Sequence, residues 1–507
     1  MKAYDPNARR RQAQPASELL RIAVTFPSEQ GPGPVKFGAR ISSASTTSFA
    51  PDPRGVDRAI DVLKDRGFAV SRKGKLSVSM RCTRKDYEKL FGTKLDVFSS
   101  PSAAQFQQFY FPGNRAPWQP QADIAPLIDD AYIQWPHIYM ATRKKQAGKK
   151  SPRRSESKLA GGVGGGPDLG YHYLSAPAGV RRLLNVDAVH KAKITGKGVR
   201  VVMIDSGFDQ AHPWFKPYRP RSSTVLAPGA SSRHTDRNGH GTGESANIFS
   251  VAPDVTFIGV KVDNDTAPDQ GASILEGFQE ALTHDPRVIS ISMGYDLRTD
   301  VGNKPLSKLP NSLVPLEAEI QAAIAAGIVV VFASGNGHYS FPGQMPSVIS
   351  AGGVYVDAVG AAQASNYASA FPSAIYAGRM VPDFCGLVGM QPDATYIRLP
   401  IPKGCEIDED MSGVDKTPPS DGWGVFSGTS AAAPQIAGVC ALLLQKNPGL
   451  KPSEVKAVLR STARDVSVGR ANATCDPSGK GGVRASTGLD GATGAGWVDA
   501  SAALRQV

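Results

Sequence analysis

Apolar positions in the first hundred residues change their period several times. Leu20 to Phe26 is a mostly apolar run of strand length. Val56, Ala59, Ile60 and Leu63 then recur at helical spacing, and Gly67 stops that helix before a strand at Phe68 to Val70. Leu76 to Met80 alternates as a strand, Thr83 caps a short helix whose apolar face is Tyr87, Leu90 and Phe91, and Leu95 to Phe98 reads as a closing strand. The order βαββαβ describes a ferredoxin-like α+β unit.

The pattern is interrupted after residue 141. Arg143 to Lys158 carries eight basic residues against one Glu, followed by Gly161-Gly162-Val163-Gly164-Gly165-Gly166-Pro167. Such a stretch cannot bury a core and reads as a linker. The spacing therefore predicts a domain at 1–141, a basic Gly-rich linker at 142–170 and a larger domain at 171–507. In that last part Val199 to Ile204 is a β-branched apolar run with no polar alternation, the mark of a parallel strand covered on both faces.

Charge follows the same division. Residues 1–160 hold 28 Lys/Arg against 14 Asp/Glu, and the remainder 29 against 31, so the net +12 belongs to the N-terminal region. The basic stretch lacks interleaved aromatic residues, which argues against a nucleic-acid partner. No window approaches the roughly 18 uninterrupted apolar residues of a membrane span. Met1 to Arg21 has basic residues without an apolar core and does not look like a secretory signal, which leaves the compartment open. Five cysteines show no CxxC spacing. Reduced thiols are the default, although Cys385 and Cys405 lie in one insertion and could pair, with Cys475 a third candidate.

Chemistry enters at Phe426-Ser427-Gly428-Thr429-Ser430-Ala431-Ala432-Ala433-Pro434, which opens an apolar helix. A serine at a helix N-terminus sits among backbone N–H donors, where an oxyanion would develop. Small neighbours permit close packing, and Pro434 is expected in the first turn, where a missing N–H costs least. Serine needs a base, and the base an acid. Val199 to Ile204 delivers Asp205 at a strand's C-terminal tip, and Asn238-Gly239-His240-Gly241-Thr242-Gly243 opens a small-residue helix with an imidazole at its start.

Asp205, His240 and Ser430, in that order, with the words DSG, NGHGTG and SGTSAAAP around them, resemble the three motifs of the subtilisin-like serine proteases. The resemblance implies an α/β fold with a seven-stranded, mostly parallel sheet and helices on both faces. It further implies that Ser292, Met293 and Gly294 bind substrate backbone together with Ala333, Ser334 and Gly335, and that Asn336 donates to the oxyanion. The chain departs from the family wording at Gly243 and Glu244. Glu244 shares a helix face with His240 and could tune the base, meet a basic substrate side chain, or be a solvated or paired carboxylate.

Two further resemblances are to the sedolisins. Asp61 to Phe68 and Lys89 to Leu95 are similar to their activation domain, which implies a prodomain that inhibits the enzyme intramolecularly until cut away. Asp465, Val466, Gly488 and Asp490 are similar to their C-terminal calcium site, although an ordinary metal-free C-terminus fits the same residues. His240 and Asn336, where sedolisins carry acids, keep the centre subtilisin-like, and catalysis needs no cofactor. The implied function is a serine endopeptidase acting on protein or peptide substrates and made as a zymogen. A peptide ligase or cyclase on the same acyl-enzyme, or a non-enzymatic basic peptide-binding module, are the alternatives.

Overall fold

The computed structural model describes residues 9–10, 18–35, 41–99, 108–112, 120–139, 172–299, 304–391, 394–473 and 481–507. The linker expected at 142–170 and Cys475 lie outside the described residues.

Near the N-terminus, β1 (Leu19–Thr25), α1 (Pro53–Lys64), β2 (Ala69–Lys73), β3 (Ser77–Thr83), α2 (Arg84–Leu90) and β4 (Asp130–Ile133) build an antiparallel sheet of spatial order β2-β3-β1-β4. Asp52 starts α1 by accepting from the N–H groups of Arg54 and Gly55, and Thr83 starts α2 by accepting from Asp86. Ala59, Ile60, Leu63, Tyr87 and Leu90 pack on Leu20, Ile22, Val24 and Met80. The fourth strand differs from the expectation. Leu95–Ser99 is a strand, but it pairs with Gln108–Pro112 and with Arg9–Arg10 in a separate sheet. Its nearest antiparallel partner in sequence takes it, and Asp130–Ile133 fills the edge beside β1, with Ile133 opposite Ile22.

The rest of the chain contributes β5 (Ile138–Tyr139), β6 (Arg200–Asp205), β7 (Ser222–Leu226), α3 (His240–Val251), β8 (Thr256–Lys261), α4 (Ile274–Leu282), β9 (Val288–Ile291), β10 (Met293–Asp296), α5 (Val314–Ala325), β11 (Val329–Ala333), β12 (Ser340–Phe341), β13 (Ile349–Val356), β14 (Ala362–Ala364), β15 (Phe384–Leu387) and α6 (Thr429–Lys446). The main sheet runs β7-β8-β6-β9-β11-β13, and β13 pairs at its far side with both β15 and β14. Seven strands are parallel, and β14 is antiparallel. Alternation along β6 explains the layers. Val201 and Met203 join the core under α3 and α6, while Val202 and Ile204 join the core under α4 and α5.

The N-terminal sheet lies across α4 and α5. The Glu319 carboxylate on α5 accepts from the backbone N–H of Lys75 (3.0 Å), Leu76 (2.9 Å) and Ser77 (2.8 Å) and from the Ser77 hydroxyl (2.7 Å). Arg81 pairs with Glu276 at 3.0 Å, Arg72 pairs with Glu280, and the Ser79 hydroxyl donates to Gln279 at 2.7 Å. Basic side chains of the smaller unit thus meet acidic ones of the larger.

Candidate active site

Asp205 ends β6, fully buried, and its Oδ1 lies 2.7 Å from His240 Nδ1. The same oxygen accepts from the Ser206 N–H at 2.7 Å, which fixes the carboxylate. His240 is the first residue of α3, and the chain reaches it through Gly239 at φ +93, a conformation that favours glycine. A Cβ on Gly241 would stand 2.8 Å from Asp205 Cβ, so only glycine lets the helix start come this close. Asp236, which sequence reasoning missed, caps that start: it accepts from the N–H groups of Gly239 and Thr242 and from the hydroxyls of Thr242 and Ser206.

Burial pulls the His240 pKa down. The charge and hydrogen bond of Asp205, with Glu244 and Asp236 behind it, more than reverse that and raise it overall. Glu244 is fully buried and therefore not solvated. Its Oε2 accepts from Asn247 at 2.9 Å, while Oε1 has no hydrogen-bond partner and stands 3.9 Å from His240 Nε2. Burial raises its pKa.

Ser430 is the second residue of α6, buried, with its Oγ 3.5 Å from the Ser292 carbonyl. Pro434 corrects an expectation: it is the sixth helical residue, past the first turn. Its missing N–H frees the Ser430 carbonyl, which accepts from the Ser292 hydroxyl at 2.8 Å. The proline thereby ties the Ser430 backbone to the segment between β9 and β10. The run Ile289 to Gly294 is two strands: β9 stays in the main sheet, and β10 leaves it to pair with β12 and β5.

After β11, Ser334 N–H donates to Ala351 and Gly335 N–H to the Thr429 hydroxyl. Asn336 follows, and its Oδ1 accepts from Thr429 N–H at 2.9 Å and from the Thr429 hydroxyl at 3.0 Å. Its Nδ2 is buried without a partner, and so is His240 Nε2. A free base nitrogen, a serine hydroxyl and an unused amide donor, gathered by three separated segments, suit acyl transfer.

One further segment occupies the cleft. Residues Ile138 and Tyr139 of β5 pair antiparallel with Gly294 and Met293. The Tyr139 ring centroid lies 5.1 Å from that of His240. Sequence periodicity could not find this two-residue strand, whose partner, Met293–Asp296, lies far along the chain.

Comparison with known proteins now decides the family. The profile of the Subtilase family, Peptidase_S8, matches residues 196–496. The chain belongs to the subtilase family. It is 28% identical to subtilisin E of Bacillus subtilis (strain 168) over 307 residues, covering 57% of this chain and 66% of that protein, just under two thirds of its length. Against subtilisin of Bacillus pumilus the identity is again 28% over 307 residues, 57% of this chain and 92% of that protein. The crystal structure of fervidolysin from Fervidobacterium pennivorans, a keratinolytic enzyme related to subtilisin, superposes with a TM-score of 0.53 at 17% identity, covering 98% of this chain and 62% of that one. That likeness is one of fold.

Within this subtilase the expected calcium ligands come from two segments, Asp465 and Val466 after the helix Pro452–Thr462 and Gly488 and Asp490 after the strand Val483–Arg484, joined by a hydrogen bond. Asp465 Oδ2 accepts from Gly488 N–H at 3.0 Å. Asp490 accepts from the N–H groups of Ser486, Ala492 and Thr493 and from the Thr493 hydroxyl, and the Val466 side chain is buried. Asp490 Oδ1 thus already accepts three hydrogen bonds, where a calcium site would draw on six or more oxygens. No group of three or more His, Cys, Asp or Glu that could hold a metal occurs among the described residues. Cys385 and Cys405 are free and buried, as are Cys82 and Cys440. No helix among the described residues is long and apolar enough to cross a membrane.

Proposed function

We propose that this subtilase is a serine endopeptidase made as an autoinhibited zymogen. The observation that carries the proposal is the Asp205–His240 pair, its Nε2 unpartnered, with Tyr139 lying against the imidazole and pairing beside Ser292, whose carbonyl is 3.5 Å from Ser430 Oγ. Neutral His240 takes the Ser430 proton through Nε2 as Oγ attacks a peptide carbonyl. Asp205 holds the tautomer and stabilises the imidazolium. Asn336 Nδ2 and the Ser430 N–H receive the oxyanion, His240 returns the proton to the leaving amine, and water repeats the sequence on the acyl-enzyme. No hydrogen bond joins Ser430 Oγ to His240 Nε2. Turning Oγ from the Ser292 carbonyl toward the base is the step that readies the site, in keeping with catalytic hydrogen bonds that tighten only with substrate.

Substrate backbone pairs with Ser292 to Gly294 on one side and runs beside Ala333 to Gly335 on the other. Residues 1–141 act as the prodomain. Support comes from β5 lying where a substrate strand lies, and from the acidic face of α4 and α5 that receives the N-terminal sheet. A tethered segment faces the site at an effective concentration on the order of millimolar, so the first cut is intramolecular. It falls between Met140 and Tyr171, ahead of or within the linker. Purified wild type followed by mass spectrometry converts from 53.5 kDa to a fragment starting in that window and then cleaves casein. The Ser430→Ala variant stays full length and inert. A full-length chain that cleaves casein without conversion, or a Ser430→Ala variant that converts, overturns the proposal.

A further inference from the structure

Asp263 takes no part in the chemistry described so far, yet it is only 4% exposed and stands at the rim of the same cleft. β8 ends at Lys261, and two residues on, Asp263 is held by its N–H to the Ser206 carbonyl at 3.3 Å, next to Asp205. The Tyr139 hydroxyl donates to its Oδ1. The neighbouring cation is engaged elsewhere: Lys261 Nζ lies 2.6 Å from Asp265 and 2.7 Å from the Thr235 carbonyl. Burial, with Asp236 and Asp205 nearby, raises the Asp263 pKa, and the Tyr139 hydrogen bond opposes that rise. A buried carboxylate beside two others calls for a donor, and here the segment in the cleft supplies it.

The register says which substrate position this is. Gly294 faces Ile138 and Met293 faces Tyr139 in antiparallel sense, so the next position along an entering chain meets Ser292. The Ser292 carbonyl is 3.5 Å from Ser430 Oγ. The residue opposite Ser292 therefore carries the carbonyl to be attacked, and Tyr139 stands second before the cut.

On the peptidase reading above, we propose that Asp263 makes this enzyme select, at the second residue before the cut, side chains that bring a hydrogen-bond donor to Tyr139's position. Tyrosine comes first, and lysine or arginine next, over apolar side chains of similar size. The phenol ring packs tilted against His240 while its hydroxyl donates to Asp263, whereas phenylalanine leaves the carboxylate desolvated with no partner. A hydrogen bond to a charged acceptor corresponds to about tenfold or more in kcat/KM.

The test uses converted enzyme and quenched-fluorescence peptides that differ only at that position: Tyr, Phe, Lys or Leu. Wild type is expected to prefer Tyr over Phe and Lys over Leu by about tenfold or more. Asp263→Leu brings both ratios to about one. Asp263→Asn keeps an acceptor, and so keeps the Tyr preference while losing the Lys preference. Each ratio is taken within one protein, so partial misfolding cancels, and the wild-type ratios alone can refute the idea. Equal cleavage of Tyr and Phe peptides by wild type, or ratios unmoved in Asp263→Leu, overturns the assignment of Asp263 while leaving the peptidase reading intact. If none of the four peptides is cut and a fluorophosphonate fails to label Ser430, the peptidase reading has failed and this assignment falls with it.

Discussion

Replacing Glu319 by alanine removes one carboxylate from α5 and takes the acceptor from four donors at once: the N–H groups of Lys75, Leu76 and Ser77 and the Ser77 hydroxyl. Glu319 is fully buried beneath the N-terminal sheet, and burial raises its pKa against the pull of those donors. In the undocked state the donors and the carboxylate are hydrated, so the loss is the net worth of bonds to a charged acceptor and not their gross strength. Hydrogen bonds to charged groups are worth about 1.5–3 kcal/mol each, and four that share one carboxylate do not add independently. Taking roughly 3 kcal/mol for the set weakens docking of the N-terminal domain by about a hundredfold. The assay is the delay between self-cleavage, followed on gels, and the appearance of peptidase activity, which measures how slowly the cut domain leaves. Glu319→Ala should shorten that delay by about the same factor and lower the refolding yield of the full chain, with Glu319→Gln between it and wild type. An unchanged delay in Glu319→Ala would mean that this contact does not hold the inhibited state.

Three other outcomes follow from the same geometry. Asn336→Ala should lower kcat by roughly 10²–10³, a magnitude established on a subtilisin-type asparagine, and cost about 1–3 kcal/mol of stability because Thr429 loses its acceptor; denaturant melts and steady-state kinetics read the two separately. Because Asp205 raises the His240 pKa, kcat/KM should climb with pH through a midpoint above the ordinary value of about 6.5. Glu244→Gln removes a carboxylate that favours the imidazolium and should shift that limb to lower pH; an acid-side optimum, or a limb that moves upward, contradicts the assignment. Asp490→Ala should destabilise the C-terminal loop by about 1–2 kcal/mol with or without calcium, and added calcium should leave the melting temperature of wild type in place, whereas a concentration-dependent rise would show a site that the hydrogen bonds around Asp490 argue against.

The parts legible in the sequence were those whose cause is local. Val199 to Asp205 announces a doubly covered strand, Thr83 a helix cap, and the glycines around His240 a tight approach, because each depends on neighbours within a few residues. What escaped depends on partners far along the chain. Leu95–Ser99 carries a strand pattern, but only tertiary pairing decides that Asp130–Ile133 and not this segment completes the ferredoxin-like sheet. Pro434 looked harmless until the carbonyl it frees was found bonded to Ser292, 138 residues away. Glu319, Asp263 and Tyr139 gave no signal in composition or spacing, since each acquires its role from a partner far along the chain. The likeness of Asp465 and Asp490 to a calcium pair said nothing of the backbone N–H groups of Gly488 and Thr493 from which they accept.

The central claim is that Ser430 is a nucleophile activated by His240. Treating converted wild type with a fluorophosphonate and mapping the adduct by peptide mass spectrometry measures that directly. The account predicts one adduct, on Ser430, at neutral to alkaline pH, with labelling lost in His240→Ala and absent from Ser430→Ala. An adduct on a different serine, or undiminished labelling of Ser430 without His240, would contradict it.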